Sequence, residues 1–401
     1  MEIKIARSTQ FVDTKPHYSI LDGLRGVAAV VVLCFHISEA FATSHLDYGI
    51  NHGYLAVDLF FILSGFVMGY AYDDRRKTMT VIDFIKRRMI RLHPMVVMGA
   101  VIGAALFYFQ DCAEWVDVSM VTVTTLLVAT ALSALLLPAT PSAEVRGLGE
   151  MFPLNGPSWS LFFEYIGNLL YILFIRRLST KVLAGIVFMA GCGLATFAIA
   201  GPHGDICVGF ALTGMEFTGG ILRLLFSFSA GLLIARIFKS ISANGSSQRY
   251  NLSAVARIFK PISAKRTFWI CSLSVVALLS VPRIGGAAHL WMNGIYETAC
   301  CVVFFPLIIC FGVSSGKEAV GLTGRICTFL GDISYPLYMV HYPFIYLYYA
   351  WVKNGNLTFS ESLPGAIAVV VGSILLAYIC LKLYDIPLRR FLANRFLKRK
   401  Q

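Results

Sequence analysis

Arginine, histidine and glutamate side chains share one face of the first apolar segment, residues 24–42. Arg25 and His36 are eleven residues apart, so in a helix both side chains leave the same face, about 16 Å apart along the axis. Glu39 lies close to the same stripe. An ionisable residue in a membrane helix must face protein or water, which makes it a functional candidate. Imidazole titrates near neutral pH and suits general base catalysis. The alternative is a structural histidine bonded to a neighbouring helix.

Three more ionisable residues lie inside apolar segments, namely Asp58, Glu164 and His341. Counting from the inner membrane boundary, His36 and Glu164 lie about 18 Å deep, and Asp58 and His341 lie about 21 Å deep. Four such groups at one level predict a shared polar cavity, because burying each of them separately would be costly. The alternative is two unrelated His–carboxylate pairs that hold helices together.

A basic cluster precedes the third apolar segment. Arg87 and Arg91 are one helical turn apart, with Arg88 close by, just before Pro94. Arg25 is predicted at the same membrane face. Neighbouring guanidinium groups suit a polyphosphate such as coenzyme A or a nucleotide-linked donor. The positive-inside rule also produces such clusters, so this signal is weak when taken alone.

Hydroxyl and aromatic side chains lead into two of the intramembrane ionisable residues. Residues 157–161 precede Glu164, and residues 331–338 precede His341. Mixed surfaces of this kind commonly bind carbohydrates, although aromatic residues at the ends of spans also act as interface anchors. The candidate substrate-binding residues are Trp159, Ser160, Ser334, Tyr335 and Tyr338.

The composition indicates an all-α integral membrane protein that lies in a lipid bilayer. Of 401 residues, 57% are hydrophobic and only 14% are charged, against roughly a quarter charged in soluble domains. The mean hydropathy is +0.71. The net charge of +12 does not indicate a nucleic-acid partner, because the basic residues fall in short loops between apolar runs. The ten cysteines show neither a CxxC motif nor metal-ligand spacing, so no metal site is predicted.

Apolar runs near the spanning length of about 18 residues occur eleven times. They cover residues 24–42, 54–72, 94–110, 120–137, 159–175, 182–200, 219–237, 267–282, 295–313, 327–350 and 364–384. Eleven crossings would place several basic loops outside the cell. The conflict disappears if 94–110 and 120–137 make one crossing together, one of them being re-entrant or shallow. The sequence therefore predicts about ten transmembrane helices with both termini cytoplasmic.

The predicted organisation is a membrane domain between two cytoplasmic tails. A basic cytoplasmic loop over 238–266 contains a local repeat, which begins at Ala235 and again at Ala256. The repeat is interpreted as an amphipathic stretch on anionic lipid. No appended soluble domain is predicted. The three parts are the N-terminal tail 1–20, the transmembrane domain 21–388 and the basic tail 389–401.

Five short motifs, in order between residues 20 and 345, resemble those of the membrane acyltransferase-3 family. They are Asp22–Gly26 with the Arg25 and His36 spacing, Val57–Phe66, Arg87–Pro94, Trp159–Glu164 and Ser334–His341. The resemblance implies transfer of an acyl group, usually acetyl from acetyl-CoA, to a hydroxyl of an extracytoplasmic carbohydrate. It also implies the bacterial inner (cytoplasmic) membrane. His93 stands where the family more often has tyrosine.

The resemblance implies a role for each candidate. His36, tuned by Glu39 or Asp58, would remove the proton from the acceptor hydroxyl. Glu164 and His341 complete the predicted catalytic set. Arg25, Arg87, Arg88 and Arg91 would hold the phosphates of the donor. Direct transfer and an acyl-histidine intermediate both stay open.

Two other classes of protein compete with an enzyme. A transporter of a lipid-linked saccharide would also have about ten spans and polar residues near the midplane. Such transporters commonly show two similar halves, which this sequence lacks. A membrane scaffold without chemistry would not need four ionisable residues at one depth. The acceptor, the acyl chain and the oligomeric state stay open.

Overall fold

The computed structural model describes residues 18–44, 46–75, 78–244, 263–315 and 319–397. Helices dominate these residues and no strand forms among them, so the predicted all-α membrane fold is confirmed. The helices are α1 Ser19–Glu39, α2 Ala56–Tyr72, α3 Val81–Leu106, α4 Val123–Ala134, α5 Ser158–Leu173, α6 Thr180–Ala200, α7 Gly214–Asn244, α8 Ala264–Ser280, α9 Leu290–Ser314, α10 Gly321–Val340, α11 Tyr342–Gly355 and α12 Phe359–Phe396.

Eight helical segments among the described residues are long and apolar enough to cross a membrane. They comprise α1, α2, α3, α5, α6, α7, α9 and α12 with their flanking turns. Helix α8 has 17 residues and falls just short of the 18-residue criterion. Helices α10 and α11 follow each other with only His341 between them. The predicted number of about ten crossings is reached when α8 and the α10–α11 pair are each counted as one crossing in addition to these eight.

The structure shows which of the two segments 94–110 and 120–137 is shallow, a question that the sequence analysis left open. Helix α3 has 26 residues, whereas α4 has only 12 and packs against α3. Twelve helical residues reach about 18 Å, well short of the roughly 30 Å hydrocarbon core. The apolar run 120–137 is therefore the shallow segment, and 94–110 belongs to a full-length helix.

Two helix pairs pack most closely, α1 with α10 and α2 with α7. A Cβ atom at Gly26 would lie 2.4 Å from the carbonyl oxygen of Leu330, and one at Gly65 would lie 2.0 Å from that of Phe228. Glycine at these positions lets the helix backbones meet, which is how many membrane helices associate. The first pair brings the Arg25 and His36 face of α1 against α10.

A break between α10 and α11 places His341 at the centre of the protein. Pro343 lacks the backbone N–H that would bind the carbonyl of Met339. The Asn155 side chain donates to this carbonyl instead, at 2.9 Å. Gln110 donates to the Pro343 carbonyl at 2.7 Å. These contacts satisfy the backbone at the break and fix the position of the His341 ring.

The basic loop differs from its predicted bounds. Helix α7 continues to Asn244 and so covers the first seven residues of the predicted loop, and the second repeat, from Ala256, lies mostly outside the described residues. Most of the N-terminal tail 1–20 and the end of the basic tail 389–401 also lie outside them. The cytoplasmic position of both termini stays a prediction.

We expect Ser119→Cys and Ser360→Cys to react with an impermeant thiol reagent added outside the cell. Ser119 lies between α3 and α4 and Ser360 lies at the start of α12; both are exposed and predicted to face outward. Lys181→Cys, on the predicted cytoplasmic side, should react only after the membrane is permeabilised. Labelling is measured above the background of the unsubstituted chain. External labelling at residue 181 would contradict the predicted orientation.

Candidate active site

His36 and Glu39 form a hydrogen-bonded pair at the C-terminal end of α1. The distance from His36 Nδ1 to Glu39 Oε2 is 2.6 Å. A carboxylate only accepts hydrogen bonds, so a neutral His36 carries its proton on Nδ1 and leaves Nε2 free to accept one. This is the arrangement of a general base oriented by a carboxylate. Of the two partners considered for His36, the structure brings Glu39 into contact.

His341 lies against His36, with ring centroids 5.5 Å apart and nearly stacked. His341 Nδ1 is 3.0 Å from the carbonyl oxygens of both Leu337 and Tyr338. Since carbonyls only accept, the His341 proton sits on Nδ1. His341 Nε2 is buried and has no hydrogen-bond partner among the described residues. Two imidazoles from α1 and the α10–α11 break thus both offer an unprotonated Nε2.

Asp58 belongs to a different cluster. Its carboxylate accepts from Arg223 Nη2 at 2.7 Å and from Ser227 at 3.3 Å, and both members of the ion pair are fully buried. Arg223 also donates to the carbonyls of Tyr54 and Val208, each at 2.8 Å. Asp58 therefore joins α2 to α7. The sequence analysis missed Arg223, although a charged residue inside the apolar run 219–237 was a signal.

Glu164 joins a third cluster. Its Oε1 atom accepts from Ser64 at 2.7 Å and from Arg88 Nη2 at 2.6 Å. The hydrogen bonds of the four ionisable residues thus fall into three groups, one with His36 and His341, one with Asp58 and one with Glu164. The single cavity that their equal depth predicted stays a prediction. Depth along a helix gives the height of a side chain in the bundle, but it does not give the side of the bundle that the residue faces.

Arginine side chains collect at the other end of α1. Arg25 donates to Ser334 at 2.9 Å and to Asp22 at 3.2 Å. Arg91 is close enough to act electrostatically on Arg25 and on Arg389, a residue of α12 that the sequence analysis did not select. Arg389 is paired with Asp385 at 2.8 Å. Arg91 has no hydrogen bond or ion pair with any residue that the structure describes.

The arginine cluster fits an anionic donor because several of its N–H groups are unused. The Nε atoms of Arg87 and Arg88 are buried and have no hydrogen-bond partner among the described residues. Together with Arg91, they offer guanidinium donors that no carboxylate fully occupies. Arg25 and Arg88 already have partners, so their guanidiniums are held in position.

The predicted substrate-binding residues all make contacts within the protein. The Ser160 and Tyr338 hydroxyls are 2.8 Å apart, and Tyr338 lies 6.0 Å from the His341 ring. Trp159 lies beneath the Arg223 guanidinium at 5.1 Å. The remaining contacts are Ser334 with Arg25, Tyr335 with the Leu92 carbonyl at 2.5 Å, and His93 with Tyr165 at 3.4 Å. Their roles towards a substrate stay predictions.

Arg91→Ala is expected to raise the KM for the acyl donor roughly ten- to a hundredfold, since a hydrogen bond to a charged group contributes about 1.5–3 kcal/mol. The kcat should change little, because the contact is made in the ground state and the transition state alike. Steady-state kinetics with varied donor concentration measures both constants. Lys86→Ala, an exposed basic residue of the same helix, is the control. An unchanged donor KM would leave Arg91 with a topological role only.

The outer loop between α4 and α5 is anchored by Arg146 and Glu150. The fully buried Arg146 guanidinium lies 3.4 Å from the Tyr346 ring centroid and donates to the Pro153 carbonyl at 2.6 Å. Tyr346 donates to Glu150 at 2.5 Å. Burial raises the pKa of Glu150 to about 7, against the lowering effects of Tyr346 and Arg146. The sequence analysis used this loop only to assign topology.

The raised pKa of Glu150 gives stability a pH dependence. The unfolded carboxyl ionises near its ordinary pKa of 4.5 and the folded one near about 7, so the folded state holds more protons between these values. Stability from this residue is full below pH 4.5 and is lost as pH rises through 7. Glu150→Gln cannot ionise. The melting temperature of the variant, relative to that of the native protein, should therefore be higher at pH 8 than at pH 5. An equal difference at the two pH values would contradict the raised pKa of Glu150.

Comparisons with known proteins identify a family for this chain. A family model described as an acyltransferase domain matches residues 18–382. Protein 2 in the picA locus of Rhizobium radiobacter is 34% identical over 176 residues, which is 41% of this chain and 85% of that protein. The acyltransferase MdmB of Streptomyces mycarofaciens is 31% identical over 94 residues, which is 22% of this chain and 24% of that protein. No solved structure matches the chain significantly.

Proposed function

The chain belongs to the acyltransferase family whose model it matches over residues 18–382, and on this premise we propose that it acetylates a hydroxyl of a cell-surface or lipid-linked carbohydrate. Acetyl-CoA is the proposed donor, and the bacterial cytoplasmic membrane is the proposed location. The multi-pass apolar helices and the family agree with acyl transfer at a membrane. The observation that carries the proposal is the His36–Glu39 pair with its free Nε2 atom.

The donor would bind at the cytoplasmic end of α1. The phosphates of a coenzyme A thioester suit the guanidiniums of Arg25, Arg87, Arg88 and Arg91, because forked donors bind phosphate oxygens in pairs. Arg25 and His36 lie about 16 Å apart along α1. A long pantetheine arm would span this distance and present the thioester to the histidine pair.

The proposed chemistry uses His36 as a general base. His36 Nε2 takes the proton of the acceptor hydroxyl while Glu39 holds the ring and stabilises the imidazolium that forms. The hydroxyl oxygen forms a bond to the acyl carbon, and the bond from that carbon to sulfur breaks. The proton on His36 then passes to the leaving thiolate. The His341 ring stacks on the His36 ring, with the centroids 5.5 Å apart, and its buried Nε2 atom has no hydrogen-bond partner among the described residues.

A transporter of a lipid-linked saccharide is the competing proposal. It would use the same polar centre without breaking a thioester. The family match favours the enzyme, since the model that covers residues 18–382 describes an acyltransferase domain. The free thiol that acyl transfer releases from acetyl-CoA distinguishes the two.

The test is acyl transfer by the full-length protein. Membranes that contain the protein are incubated with acetyl-CoA labelled in the acetyl group, and cell-surface glycans are analysed for a labelled ester. Membranes without the protein are the control. We expect labelled ester together with stoichiometric release of free thiol. If neither labelled ester nor free thiol is formed, the proposal is contradicted.

A further inference from the structure

An open cavity of about 370 Å³ lies where α1, α11 and three loops meet, those between α1 and α2, between α3 and α4, and between α4 and α5. We call it the outer vestibule. Glu39 and Tyr342 line it, and both contact His36, the first through its carboxylate and the second ring to ring at 4.7 Å. The vestibule therefore reaches from the predicted outer face to two residues that contact the candidate base. None of the substrate-binding residues predicted from the sequence lines it.

Three carboxyl groups face the outer vestibule, those of Glu39, Glu114 and Glu150. Each is held by another side chain. Glu114 accepts from Tyr349 at 2.9 Å and pairs with Lys353 at 3.2 Å. A carboxylate offers about four lone-pair positions, so these groups keep the capacity to accept hydrogen bonds from a ligand.

Hydroxyl donors and aromatic surfaces complete the lining. Tyr48 and Tyr342 line the vestibule, and their hydroxyls have no hydrogen-bond partner among the described residues. Trp115, Tyr346 and Tyr349 add aromatic surface. Free phenol donors, carboxylate acceptors and aromatic surfaces suit a ligand with many hydroxyls and apolar C–H faces. The volume lies near the small end of ligand sites, which run from about 300 to 1,000 Å³, so the end of a glycan would enter rather than a long stretch of chain.

We propose that the outer vestibule binds the acceptor saccharide and selects one without negative charge. The inference rests on the proposed function, since it names the substrate class of the same site. A uronic acid or a phosphorylated sugar would bring an anion close to carboxylates, and like charges that meet in a binding site weaken it. Hydroxyl and ammonium groups would instead donate to these carboxylates. The vestibule thus presents a neutral or amino sugar to His36.

Protection from thiol labelling tests this selectivity without requiring catalysis. Leu148 lines the vestibule and is 44% exposed, so Leu148→Cys should react with an impermeant maleimide from outside. The experiment uses the full-length protein in a His36→Gln background at pH 8. The neutral probes are methyl glycosides of glucose, galactose, mannose and rhamnose. The charged probes are the corresponding amino sugars and uronic acids, where these exist, and one phosphorylated sugar. Ser119→Cys, on an outer loop and not part of the lining, is the control.

We expect at least one neutral or amino sugar to slow labelling at residue 148 and not at residue 119. The uronic acid that corresponds to this sugar should give equal protection only at a concentration about tenfold higher or more, because of like-charge repulsion. Replacing Glu114 and Glu150 with glutamine should narrow that ratio to about threefold or less by the same reasoning. Equal protection by the anionic sugar, or none by any probe, overturns the inference. Since no thioester is consumed, this result is independent of the failure or success of acyl transfer.

Discussion

His36→Gln is expected to lower the rate of acyl transfer by about 10²–10⁴, the usual contribution of a general base. Glutamine keeps a similar volume and can still hydrogen-bond to Glu39, but it cannot take a proton at neutral pH. Donor binding should persist, because the arginine cluster lies at the other end of α1. Thiol release from acetyl-CoA measures the rate, and titration with a non-transferable donor analogue measures binding.

His341→Gln is the matched control for this substitution, since both rings lie in the same stack. A structural histidine would tolerate glutamine, because a side-chain hydrogen bond in a membrane protein averages about 0.6 kcal/mol. If the His341 variant loses transfer and the His36 variant keeps it, the base lies on the α10–α11 break instead of α1. The His36–Glu39 pair would then position the donor or the acceptor.

Asp58→Ala is expected to lower the free energy of unfolding by about 3–5 kcal/mol, as happens when one partner of a buried ion pair is removed. The Arg223 guanidinium would remain fully buried without its carboxylate. Urea unfolding of the protein in detergent micelles, followed by tryptophan fluorescence, measures the loss. The double variant Asp58→Ala with Arg223→Met removes both charges and should regain most of the stability.

Activity per folded molecule separates this structural role from the catalytic role predicted from the sequence. Asp58 contacts Arg223 and Ser227, so we expect the double variant to keep acyl transfer within a few-fold of the native rate. A stable Asp58→Ala variant that loses transfer would return Asp58 to the catalytic set. The outcome also tests the interpretation that Asp58 serves to join α2 to α7.

The sequence alone determined the class of the protein and much of its candidate chemistry. Apolar runs of spanning length predict membrane helices because a lipid core leaves backbone groups no other way to be satisfied. The spacing of Arg25, His36 and Glu39 predicts one helix face, since helical geometry is local and periodic. The His36–Glu39 contact and the family resemblance both follow from residues that are close in sequence or in short motifs.

Only the tertiary structure decided which helices meet. Glycines at the α1–α10 and α2–α7 contacts set the neighbours, and these neighbours paired Asp58 with Arg223 and His36 with His341. The outer vestibule likewise draws on α1, α11 and three separate loops. Hydropathy gives the depth of each residue in the membrane, but it does not give the neighbouring helix that the side chain faces. That neighbour depends on close packing between distant segments, which no local pattern in the chain encodes.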